Sequence, residues 1–160
     1  SGRALWDALL GAGVRPAGLA ARDTLRLEAA LPLHGHDIDA STHPFEAGLG
    51  FAVTLEDGDP FTGRPALERL QGEAPTRKLA CVQLLDRGVP RAEMPVLDAA
   101  GATVSTLTSG TFSPTLRAGI GLAYLPVELA RAGTPVQVSV RGRAIAAEVV
   151  RRPFYRRPRA

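Results

Sequence analysis

Apolar residues recur at two different spacings along the 160-residue chain, and the change of period divides it. In the first part the spacing is helical. Leu5, Trp6, Leu9 and Leu10 fit one helix that Gly11, Gly13 and Pro16 bring to an end. A second helix is predicted from about Leu19 to Ala30, stopping at Pro32. Its apolar residues occupy two sides, with Ala20, Leu27 and Leu31 on one and Leu25 and Ala29 on the other, which predicts packing on both. Arg22 and Arg26, one helical turn apart, share a face beside the second strip. Charges on such a helix need specific partners, because an unpaired buried charge is costly. Phe51–Val53 reads as a short strand, and Thr62 as the cap of a helix with Pro65 in its first turn, ending at Leu70–Gly72.

After Glu73-Ala74-Pro75, the best linker in the chain, the period falls to two. Strands are predicted at Lys78–Leu85, Pro95–Leu97, Thr103–Leu107, Ile120–Tyr124, Thr134–Val140 and Ala144–Val150. Val136, Val138 and Val140 alternate strictly with polar residues before the hairpin turn Arg141-Gly142-Arg143. Short, evenly spaced strands with Gly and Pro punctuation argue for a small barrel. The fold class is therefore α+β: a helical front piece, 1–74, followed by a small antiparallel Greek-key-type β-barrel, 75–160, with an Arg-rich tail.

Composition limits the chemistry. With 45% hydrophobic and 22% charged residues the chain can bury a core and is not a disordered tail. No apolar run approaches the roughly 20 residues of a membrane helix, and the opening segment carries no apolar signal stretch, so no membrane partner and a cytoplasmic location are expected. The single cysteine, Cys81, excludes an internal disulfide and a Cys-based zinc site, and its strand pattern makes it a core residue. Lys78 is the only lysine. Preference for arginine reflects either a GC-rich genome or guanidinium clamps for carboxylates and phosphates. The basic excess gathers in Arg151–Arg159, a cluster that could touch an anion or nucleic acid or simply stay solvated.

All three histidines, His34, His36 and His43, fall with Asp37 and Asp39 in one irregular segment. Metal ligation is the sharp reading, but no helical His pair or cysteine supports it, and a hydrogen-bonded polar loop lining a cleft is expected instead. Thr108–Pro114 lacks the spacing of a phosphate loop and reads as a tight turn after a strand, and no Gly-x-Ser-x-Gly elbow occurs. The residues offer no complete catalytic set and no metal site.

Several segments together carry a resemblance. They are Gly18–Ala29, with Ala21-Arg22-Asp23 at its centre, Pro32–Ile38, Pro44–Val53, Phe61–Leu67, Thr108–Leu116, Gly121–Tyr124, Gly133-Thr134, Val140–Gly142 and Pro153–Tyr155. In that order they resemble the aminomethyltransferase of the glycine cleavage system, the T-protein. The resemblance implies a folate-binding region followed by a C-terminal barrel. It also implies transfer of an aminomethyl carbon from the lipoyl arm of H-protein to tetrahydrofolate, giving 5,10-methylenetetrahydrofolate, ammonia and dihydrolipoyl H-protein. Arg22 is the position that contributes to ligand binding in the family, and Tyr155 the nearest match to a second contact in the tail. A guanidinium at Arg22 could pair with a glutamate carboxylate of folate, or within the chain with Asp23, Glu28 or Glu46; Arg26 is expected to be structural.

Where the family carries Tyr-Gly-Asn-Asp, this chain has His34-Gly35-His36-Asp37, which removes a tyrosine hydroxyl. The family's catalytic Asp and pterin-contacting Glu lie in an N-terminal half outside this sequence, so no catalytic residue is assigned here. The chain is expected to be an inactive fragment that binds folate weakly or not at all and exposes apolar surface, or an unpaired Arg22, to that missing half. Other readings stay open. One is the folate-binding tail of a dimethylglycine or sarcosine dehydrogenase. Another is an accessory protein of the same superfamily, and a third a non-enzymatic β-barrel module with a nucleic-acid-binding tail.

Overall fold

The computed structural model describes residues 1–56 and 60–157. Its elements run α1 (Gly2–Gly11), α2 (Leu19–Glu28), α3 (Arg64–Gly72), β1 (Arg77–Leu84), β2 (Pro95–Leu97), β3 (Thr103–Ser113), β4 (Ala118–Pro126), β5 (Pro135–Val140) and β6 (Arg143–Val150). The strands close into an antiparallel barrel in the order β1-β4-β3-β2-β5-β6. β2, β3 and β4 are successive hairpin neighbours and β1 returns beside β4, which is a Greek key.

β1 and β4 are apolar on both faces because each has two jobs. Ala80, Val82 and Leu84 point into the barrel and meet Val96, Leu107, Leu125, Val138 and Val149 there. The alternate residues Leu79, Cys81, Ile120, Leu122 and Tyr124 point outward and receive Leu27 and Ala30 from the end of α2. Leu27 is completely buried, and its removal from water stabilises the seating by about 1.5–3 kcal/mol. β5 has one buried face and shows the plain alternation the sequence announced.

α2 ends two residues earlier than expected, in a Schellman motif. The Leu31 N–H donates to the Arg26 carbonyl and the Ala30 N–H to the Leu27 carbonyl, both at 2.8 Å. Ala30 takes the left-handed position at φ 53°, where glycine is usual. Arg152 holds it there: Nε and Nη2 donate to the Ala30 carbonyl at 3.1 and 2.6 Å while Nη1 donates to the Ala47 carbonyl at 2.9 Å. One tail arginine thus staples the front piece to the barrel. Pro158 and Arg159 of the same basic run lie outside the described residues.

Three local expectations are corrected. Phe51 sits in a 3-10 turn, Gly50–Ala52, because among the described residues no strand lies alongside it to pair with. Gly63 at φ 95°, not Thr62, precedes α3, and no side chain caps that helix. Thr108–Ser113 continues β3 along β4, so the turn comes after it, at 114–117. The two-sided packing of α2 is also absent among the described residues. Leu19 and Leu25 stand 78% and 64% exposed, and α1 buries no residue at all. Its Leu5, Trp6, Leu9 and Leu10 are exposed, the apolar surface expected of the front piece.

Candidate functional site

A cleft of about 580 Å³ opens where α2, the 33–36 loop and β3 meet the loop joining β1 to β2. Arg22 and Arg26 both face it from α2, as their spacing required, and Asp23, His36, Arg91 and Ser109 complete its polar lining. The histidine segment therefore does line a cleft. Among the described residues no group of three His, Cys, Asp or Glu side chains comes together as a metal site.

Arg26 is fully committed to structure. Nε donates to Asp23 at 2.8 Å, Nη2 to Ser109 Oγ at 2.8 Å and Nη1 to Asp37 at 2.5 Å. Asp37 is buried and accepts two further bonds, from the Leu33 N–H at 2.9 Å and the Thr108 hydroxyl at 2.5 Å. The Tyr124 hydroxyl donates to its backbone carbonyl at 2.9 Å. A β-bulge makes this possible. The β3–β4 register shifts between Leu107 and Ser109, so Thr108 and Ser109 both reach the ion pair outside the barrel while Leu107 stays inside.

The carboxylates that could have paired with Arg22 are otherwise engaged. Asp23 is taken by Arg26. Glu28 is buried and accepts the Ser113 hydroxyl at 2.6 Å and the Thr115 hydroxyl at 3.1 Å. Glu46 accepts from Arg77 Nε at 2.8 Å and from the His43 N–H at 3.1 Å. Burial pushes the Glu46 carboxyl up, but the hydrogen bonds from Arg77 and His43 outweigh it and hold the group below its ordinary value. Arg77 also stacks over Tyr124, 4.7 Å from the ring centre, and burial pushes the Tyr124 hydroxyl up. Among the described residues Arg22 has no hydrogen bond or ion pair, so its guanidinium is presented to the cleft unspent.

Tyr155 is placed elsewhere. Its N–H donates to the Glu28 carbonyl at 2.9 Å, at the far end of α2 and about 9 Å along the axis from Arg22. Tyr155 is 39% exposed and does not line the cleft. Arg91 was not anticipated, since one arginine in a Val-Pro-Arg-Ala loop carries no sequence signal of what it faces. Arg152 was anticipated only as part of a basic run; its tie to two carbonyls depends on the fold.

The family model described as the glycine cleavage T-protein C-terminal barrel domain matches residues 77–156. The chain belongs to the glycine cleavage T-protein family. A second T-protein model, the GCVT N-terminal domain, matches residues 1–57. The aminomethyltransferase of Symbiobacterium thermophilum is 54% identical over 159 residues, covering 97% of this chain and 42% of the relative. That of Synechococcus sp. strain WH7803 is 52% identical, with 98% and 42% covered. The crystal structure of the glycine cleavage system aminomethyltransferase T from Bartonella henselae superposes with a TM-score of 0.85 at 39% identity, over 96% of this chain and 43% of that one. The chain thus spans about 42% of the length of the curated T-protein relatives it matches. No described helix is long and apolar enough to cross a membrane.

Proposed function

We propose that the chain is the C-terminal portion of a tetrahydrofolate-dependent aminomethyltransferase of the glycine cleavage system. In this reading residues 1–74 belong to its folate-binding domain and 75–160 to its barrel, and the parent enzyme acts in the cytoplasm without a nucleic-acid partner. The observation that carries the reading is Arg22: an unpaired guanidinium facing a cleft, in a chain 54% identical to a curated aminomethyltransferase.

The reaction would run between the lipoyl arm of H-protein and tetrahydrofolate. The aminomethyl carbon leaves the lipoyl sulfur and loses its amine, while two new C–N bonds bridge N5 and N10 of tetrahydrofolate. The two protons released from those nitrogens go to the sulfur and the departing ammonia. This chain's share is binding. Arg22 would take a carboxylate of the folate glutamate in a two-pronged hydrogen bond, the geometry for which guanidinium is suited. Arg26, already saturated, would hold the helix at the right height, and Tyr155 would touch ligand at the opposite end of α2. Proton transfer would fall to residues outside this chain, in an N-terminal half seated on the exposed apolar face of α1 and α2.

Two measurements test this. Calorimetric titration of the chain with tetrahydrofolate should give weak binding that Arg22→Gln abolishes. Aminomethylated H-protein and tetrahydrofolate should yield no methylenetetrahydrofolate with the 160 residues alone, and should do so when the N-terminal portion of the Symbiobacterium relative is co-expressed. Turnover by the isolated chain, or folate binding indifferent to Arg22, would refute the reading.

A further inference from the structure

His36 lines the Arg22 cleft from the loop after α2, and its imidazole is as free as the Arg22 guanidinium. Among the described residues it has no hydrogen bond or ion pair. The backbone beneath it is fixed. The His36 and Asp37 N–H groups donate to the Leu33 carbonyl at 3.1 and 2.8 Å, and the Gly35 N–H donates to the Ile38 carbonyl at 2.8 Å. Gly35 stands at φ 85°, a left-handed position that glycine takes without strain. Asp37 then ties this turn to α2, since its buried carboxylate accepts from both the Leu33 N–H and Arg26 Nη1. Arg22 lies one helical turn from Arg26, and His36 adjoins Asp37 in the chain. One buried ion pair therefore sets the position of both free side chains. The other charged groups facing the cleft are Asp23 and Arg26, which bond each other, and Arg91. Arg91 comes from the loop joining β1 to β2, a strap seated so closely on β3 that a methyl group at Gly110 would come within 2.8 Å of the Arg91 backbone nitrogen.

We propose that His36 and Arg22 grip the two carboxylates of a single glutamate, the guanidinium taking one and the imidazole the other. The inference rests on the folate reading of the Arg22 cleft and deepens it: the cleft selects an aryl-glutamate dicarboxylate over a monocarboxylate. Leu19, Ala20 and Leu33 supply an apolar wall suited to the aromatic ring of such a ligand. An imidazole donates one hydrogen bond when neutral and two, with a positive charge, when protonated. The grip on the second carboxylate therefore tightens with acidification. Of the residue types facing the cleft, only histidine ordinarily changes charge between about pH 8 and pH 6. His34 and His43 border a separate depression and take no part.

The test is nuclear magnetic resonance titration of the ¹⁵N-labelled chain at about pH 6 and about pH 8, on either side of the usual histidine range. The probes are p-aminobenzoyl-glutamate, which lacks the pterin, and its α- and γ-monoamides. The dicarboxylate should bind about 1.5- to 5-fold more tightly at the lower pH, the range for an exposed ion pair, and the gain should shrink as salt is raised. His36→Asn keeps a donor without the charge and should bind with one affinity at both pH values. His34→Asn should behave like the native chain. One monoamide should bind without pH dependence and be indifferent to His36→Asn. The other should keep the pH dependence and be indifferent to Arg22→Gln. Equal affinity of the dicarboxylate at the two pH values, or a pH dependence that survives His36→Asn, overturns the proposal. Monoamides that both bind as tightly as the dicarboxylate overturn it as well. Failure of Arg22→Gln to weaken tetrahydrofolate counts instead against the folate reading, because the His36 readout is a pH profile that Arg22 does not carry.

Discussion

Replacing Asp37 by alanine probes the joint that carries the cleft. Its carboxylate is inaccessible to solvent and faces Arg26, itself only 11% exposed, so the pair is desolvated on both sides. Breaking such a pair from one side costs about 3–5 kcal/mol, because the surviving charge stays buried without its counter-ion. Asp23 remains on the outer edge of the guanidinium but is 43% exposed, and recovers at most about 1 kcal/mol. Thr108 keeps a second acceptor, the Leu122 carbonyl at 3.2 Å, while the Leu33 N–H is left with none of its former carboxylate. The expected loss is about 2–4 kcal/mol, a large fraction of the 5–15 kcal/mol that holds an ordinary domain folded. At about 2–4 °C per kcal/mol for a chain of this size the melting point should fall by about 5–15 °C. Urea unfolding at pH 7 measures it, as a lower midpoint at unchanged m-value. Removing both partners with Arg26→Met and Asp37→Ala should cost less than the sum of the single changes by at least about 1.5 kcal/mol, since no orphan charge remains. A single-substitution loss under about 1 kcal/mol, or strict additivity, would show that the pair does not anchor α2.

Three further outcomes follow from particular contacts. Because its native pKa is depressed, Glu46 stabilises the fold at and above its ordinary value of 4.5 and loses that contribution as pH falls through the lower native value. The stability gap between the native chain and Glu46→Gln should therefore be full near neutrality and close below about pH 4.5, as followed by thermal melts across pH. Cys81, 2% exposed and with burial pushing its thiol to about 12, should resist a disulfide reagent in the folded chain and react at the rate of unfolding; prompt labelling in buffer would contradict its placement. Gly110→Ala should cost about 1–3 kcal/mol through displacement of the strap, whereas Gly142→Ala at the open hairpin meets only its positive φ.

The elements that one face of sequence specifies were readable in advance. Pro95–Leu97 matches β2 residue for residue, and the alternation of Val136, Val138 and Val140 marks β5 correctly. Segments decided by a distant neighbour were not. Phe51–Val53 has the residues of a strand and no strand to join. Thr108–Ser113, rich in hydroxyls and glycine, looks like a turn because its packing against Pro90 and its bonds to Asp37 and Glu28 come from elsewhere in the chain. At the site, helical spacing was enough to put Arg22 and Arg26 together, and the division between a free and a saturated arginine depended on carboxylates up to 31 residues from their cationic partners. Arg91 depended on the seating of a loop, which no local pattern encodes.

The extra residue in β3 gives that strand a counting rule. Before Thr108 the chain spends Leu107 on the barrel interior; after it, Ser109 and Ser113, which two-residue steps would have put on Leu107's face, serve α2 instead. Parity, not only composition, is thus fixed at this point. A deletion of one residue here would restore an even beat, turning the hydroxyls that grip Arg26 and Glu28 toward the packed interior. An insertion at the Arg141–Gly142 hairpin would instead lengthen an open loop and leave both flanking strands in phase. Length variation among relatives should therefore be tolerated at the hairpin and rejected within three residues of Thr108.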